Sequence, residues 1–117
     1  MIDQKAKELG RLIGQSDEYK ALKRANEALG QDTDSVASLR RMEELRVDAQ
    51  RMLARGEEPS PEMERELDEL LRKVQVTSAY QRAVATQENF DKLMMKVNGW
   101  IGDGIKAGSE SSIITLA

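Results

Sequence analysis

The sequence predicts an all-α protein, a helical bundle with two short N-terminal helices and a long αα-hairpin. Three observations carry that expectation. Ala, Leu, Glu, Lys, Arg, Gln and Met dominate, and runs of β-branched residues are missing before Ile113-Ile114-Thr115. Apolar residues recur at spacings of three and four, which places them on one helical face. Capping residues and glycines divide the chain at regular points.

The first helix is expected from Asp3 to Ile13. Ile2, Ala6, Leu9 and Ile13 step by four, three and four, and Gly14 is placed as a left-handed terminator. Gly10 inside it costs about 1 kcal/mol relative to alanine, so this short helix needs a partner. Ser16-Asp17-Glu18 opens the second: a hydroxyl accepts an orphan backbone N–H, and two acids meet the positive helix end. Tyr19, Leu22, Ala25, Ala28 and Leu29 form its stripe, and Gly30 closes it.

Gln31-Asp32-Thr33-Asp34 offers several caps for a third helix, expected from Ser35 to Arg55, with Gly56 ending it. Leu39, Met42, Leu45, Ala49, Met52 and Leu53 follow at helical spacing. Glu57-Glu58-Pro59-Ser60-Pro61-Glu62 is the strongest turn. Pro59 biases Glu58 away from helix, Ser60 can cap, and Pro61 falls where a missing N–H is harmless. One long fourth helix is expected from Pro61 to about Val97 or beyond, with a polar join at Gln75 to Gln81 where it can kink or face water and a partner subunit. After Gly99, the glycines 102, 104 and 108 interrupt the pattern. Residues 1–101 are therefore assigned to the helical domain and 102–117 to a flexible Gly/Ser-rich tail. Ile113, Ile114 and Leu116 are apolar enough to dock.

Composition excludes whole classes of chemistry. The 117 residues include no cysteine and no histidine, so disulfide scaffolds, zinc fingers, Fe–S sites, and Ser-His-Asp or Cys-His catalysis lack the residues they need. No metal, cofactor or catalytic residue is expected, and the protein is not expected to be an enzyme. A net charge of −3 gives no global attraction to nucleic acid. No apolar run approaches the ~20 residues of a membrane span. The N-terminus has no apolar signal core, which with the lack of cysteine fits a reducing cytoplasm.

Four clusters invite a chemical reading. The acids Glu57, Glu58, Glu62, Glu64, Glu66, Asp68 and Glu69 spread around a helix and lack an EF-hand pattern, so a solvated face accounts for them better than a cation site. Arg40, Arg41, Arg46, Arg51 and Arg55, with Lys20, Lys23 and Arg24, could hold RNA phosphates. No stacking aromatics interleave with them, and Glu43, Glu44 and Asp48 can pair with them instead. An RNA-associated factor using the second and third helices is thus the alternative function. Glu88 and Asp91 could do acid–base work only if burial shifted one of them. Gly99-Trp100-Ile101-Gly102-Asp103-Gly104 follows a helix and lacks the Gly-Lys-Ser/Thr of a phosphate loop.

The overhang of the long helix matters more. Ala83, Phe90, Met94, Val97 and Ile101 step by seven, four, three and four. The third helix is too short to cover them, so the overhang has to pack on the first two helices, on another subunit, or on both. The expectation is a homo-oligomer, a dimer first of all, with these five residues at its interface and Phe90 as central anchor.

The order of these landmarks resembles the YlbF/YmcA family of small bacterial helical proteins, in its YheA-like branch. Gly14-Gln15-Ser16-Asp17-Glu18-Tyr19-Lys20-Ala21-Leu22-Lys23 is similar to the family's second-helix opening. Asp48-Ala49-Gln50, the acid-rich turn, Val74-Gln75 and Glu88-Asn89-Phe90 follow in the family's order. The resemblance implies an all-α, oligomerising, non-enzymatic regulator that acts through protein–protein interaction. Family members influence mRNA processing and developmental control, in a complex associated with cysteine-held Fe–S clusters. This chain has no cysteine, so no cluster ligand carries over. Protein partners in RNA processing remain the implied ones, without direct nucleic-acid contact.

Overall fold

A computed structural model describes residues 1–116 of the chain, with side chains through Glu110. The described residues form five helices and no strand: α1 (Ile2–Gly14), α2 (Asp17–Gln31), α3 (Thr33–Ala54), α4 (Pro61–Gln75) and α5 (Ser78–Leu116).

Local chemistry sets the boundaries. Ser16 accepts from the Tyr19 amide at 3.1 Å and opens α2. Asp32, in extended conformation, ends α2 and caps α3. Ser60 accepts from the Met63 amide at 3.2 Å, with Pro61 in the first turn of α4. Gly56 has φ +78°; its amide bonds Leu53 O, and that of Glu57 bonds Met52 O at 2.8 Å. This double bond pattern closes α3 and sends the chain back. The expected left-handed stops at Gly14 and Gly30 are corrected: both lie inside helices, and the helices end at the caps instead. We expect Ser60→Ala to cost about 1 kcal/mol, read as a lower urea midpoint, with Ser60→Asp retaining most of the stability.

The single fourth helix is corrected too. It is broken at Val76-Thr77 into α4 and α5. Thr77 Oγ1 donates to Val74 O at 2.8 Å and accepts from the Tyr80 amide at 3.3 Å. A side chain that bonds its own backbone in this way ends one helix and starts the next. In the other direction, the helix does not stop near Gly99. It continues through the glycines to Leu116, so residues 102–116 take a helical backbone where a flexible tail was expected. The side chains of Ile113, Ile114 and Leu116 lie outside the described residues.

The break decides the packing. α3 folds back on α4, and α5 then runs along α2. Neither α2 with α4 nor α3 with α5 forms a packed pair. The core is correspondingly thin: Leu22 and Ala25 on α2, Leu45 on α3, Val74 on α4, Ala83 and Val97 on α5. The molecule measures 67 × 38 × 20 Å, with a radius of gyration of 21.3 Å. A compact chain of this length has about 13 Å. Such elongation leaves much apolar surface without an intramolecular partner.

Candidate interaction surfaces

The 39 residues of α5 span about 58 Å, and the 15 of α2 about 22 Å. α2 therefore covers only the first part of α5. The five residues of the expected interface divide accordingly. Ala83 and Val97 are buried within the chain, and Phe90 and Met94 are half-buried. The Phe90 ring sits 5.6 Å from that of Tyr19, at the N-terminal end of α2. Ile101 is exposed. Most of the stripe thus has a partner on α2, one of the two coverings that its length left open.

Past Val97 the same stripe runs on uncovered. Ile105 follows Ile101 by one turn, and Trp100 flanks them with 62% of its surface open. α1 departs from the same end of the molecule, because it joins α2 beside Tyr19. It has no buried residue, and Ile2 and Leu12 are exposed. Trp100 and Ile105 were visible in the sequence as apolar residues; the glycines around them drew attention away from a continuing helix.

A second surface is the groove between α2 and α3, about 810 Å³ in volume. Leu29 lines it from α2, and Val36, Leu39 and Val47 from α3. Arg40, Glu43, Glu44, Asp48 and Arg51 line it beside them.

Four of the eight charged residues of α3, Arg41, Glu43, Glu44 and Arg46, are engaged with each other or with α4. Arg41 Nε and Nη2 grip both oxygens of Glu66, at 2.7 and 3.2 Å, and Nη1 reaches Glu44 at 3.1 Å. Arg46 pairs with Glu43 one turn away. The Arg41 guanidinium holds the Glu66 carboxyl below its ordinary value, and Arg46 does the same for Glu43. A carboxyl with a lowered folded value contributes stability above about 4.5, its ordinary value, and loses it as pH falls through the lowered one. Both pairs are exposed, so their contribution is small. In Arg41→Met, the Glu66 side-chain carbon is expected to titrate at its ordinary value; carbon NMR against pH checks this.

The carboxylates of Glu88 and Asp91 are exposed, and Asp91 accepts from Gln87 at 3.0 Å. Among the described residues, no group of three or more acidic side chains is placed to hold a metal ion. No helix among them is long and apolar enough to cross a membrane.

Against this geometry, comparison with known proteins gives one decisive result. The family described as control of competence regulator ComK, YlbF/YmcA, matches residues 2–106. The chain belongs to the YlbF/YmcA family. The resemblance read from the second-helix opening is borne out, and the family's description is one of regulation. Two curated relatives are similar over most of the chain. A UPF0342 protein of Leuconostoc mesenteroides subsp. mesenteroides is 27% identical over 93 residues, covering 80% of each chain. A UPF0342 protein of Limosilactobacillus reuteri strain DSM 20016 is 25% identical over 101 residues, covering 86% of this chain and 82% of its own. No solved structure gives a significant match. The match to the YlbF/YmcA family covers α1 to α4 and runs into α5 as far as Lys106, so it includes Trp100, Ile101 and Ile105.

Proposed function

We propose that this YlbF/YmcA protein is a non-enzymatic adaptor of the cytoplasm that regulates by binding other proteins, in mRNA processing and developmental control. The observation that carries the reading is the uncovered end of α5. Ile101 and Ile105 extend a stripe that α2 stops covering, and exposed apolar surface with an aromatic beside it is characteristic of binding surfaces. The first partner is a second copy of the chain. A two-fold axis through this end lets one patch serve both subunits, giving a dimer in which Ile101 belongs to the interface and Phe90 supports it from within the protomer.

The test is complementation. In a strain lacking the protein, the wild-type chain should restore the normal pattern of transcript ends, and Trp100→Asp with Ile105→Asp should not. Full restoration by the double variant would sink the reading. The RNA-associated alternative is the weaker one, because Arg41 and Arg46 already hold carboxylates. Direct phosphate contact would appear as RNA affinity falling steeply with salt; we expect no such binding.

A further inference from the structure

The hairpin bends on both of its arms. One arm breaks at Asp32, between α2 and α3; the other breaks at Val76-Thr77, between α4 and α5. The two breaks lie side by side, because Ser35 Oγ is 3.4 Å from Thr77 Oγ1 across 42 residues of sequence.

The chemistry at this point makes a weak link. Thr77 sends its proton to Val74 O, so Ser35 has to be the donor between the two hydroxyls. Ser35 has one proton, and Asp32 Oδ2 offers a nearer, charged acceptor at 2.9 Å. The side chains packed there are small: Ser35, Ser38 and Val74 are buried beside a cavity of about 110 Å³. The largest side chains fully buried among the described residues are Val74 and Ser35, both at this crossing. The packing that holds each side of the bend together, α2 on α5 and α3 on α4, does not cross it.

We propose that the α2–α5 pair and the α3–α4 pair turn as two bodies about Asp32 and Thr77, and that this turn sets the width of the α2–α3 groove. The groove has one wall on each body: Asn26, Leu29 and Gly30 move with α2, and Val36, Leu39 and Val47 move with α3. Anything that binds better at one width shifts the population of bend angles, and the bend angle redirects the long α5 arm. The groove and the far end of α5 are thereby coupled without a contact between them.

The absence of native cysteine makes the test direct. Spin labels are placed on exposed positions by Glu27→Cys with Gln50→Cys, which spans the bend. Gln50→Cys with Arg65→Cys stays within the α3–α4 pair, and Lys23→Cys with Glu88→Cys within the α2–α5 pair. Each labelled chain is measured by pulsed electron resonance in an excess of unlabelled chain, so that only distances within one protomer are read. The cross-bend distance distribution is expected to be roughly twofold wider than either of the others. Equal widths for all three pairs overturn the proposal: uniformly narrow ones mean a rigid rod, and uniformly broad ones a chain loose throughout.

Discussion

Leu45→Ala is expected to lower the unfolding free energy by about 2–4 kcal/mol. Leu45 is the one large apolar side chain that α3 buries, at 4% exposure. The α3–α4 pair has Val74 as its other buried apolar residue, so little remains to close around a cavity at Leu45. Domains of this size are stable by only about 5–15 kcal/mol in all, and the loss is a large share of that. Leu53, on the same helix but 60% exposed, is the control: its replacement by alanine should change stability by less than about 0.5 kcal/mol. Urea unfolding followed by circular dichroism reads both. Equal effects at the two positions would mean that α3 is not packed on α4 as described.

The second large effect is on assembly. Trp100→Asp with Ile105→Asp is expected to weaken self-association by roughly thirtyfold or more, since anchors of this kind are worth about 2 kcal/mol or above. Trp100 and Ile105 are 62% and 69% exposed in the protomer, so the substitutions leave its core intact and its helix content unchanged. At a two-fold interface each substitution enters twice, so four new carboxylates fall within one apolar patch. Phe90→Asp is predicted to act differently. Phe90 packs on Tyr19 inside the protomer, so the charge there loosens α5 from α2 before it touches any dimer. Light scattering at tens of micromolar decides. A wild-type chain of monomer mass would remove the dimer, and an unchanged mass in the double variant would move it elsewhere.

Much of this fold was legible because its signals are local. Ser16, Ser60-Pro61 and Gly56 each act on backbone groups within a turn, and each acts as its residue type dictates. The break at Thr77 was harder to read. A threonine cap embedded between two apolar helical stretches differs little in sequence from a polar residue on a helix surface, and its effect depends on which carbonyl its hydroxyl finds. The stripe from Ala83 to Ile101 was legible as a stripe. What covers it was not, because α2 reaches α5 only through the bend, and that pairing is tertiary. The glycines misled for a related reason: each is a poor helix former, and the register of the apolar residues outlasts them.

Those glycines have a consequence for how tightly α5 can hold a partner. Nothing lies within 4 Å of where a Cβ would stand on Gly99, Gly102, Gly104 or Gly108, so packing does not require any of them. Each instead weakens the helix there by about 1 kcal/mol against alanine, so this end of α5 unwinds more readily than the rest. A partner that grips Trp100 and Ile105 has to hold this stretch wound, and any cost of doing so is subtracted from the contact energy. The end of α5 is in this sense detuned: its apolar residues lie open for recognition while its glycines loosen the helix that presents them. Alanine at 102, 104 and 108 is expected to stiffen this end of α5 without disturbing any packing inside the protomer.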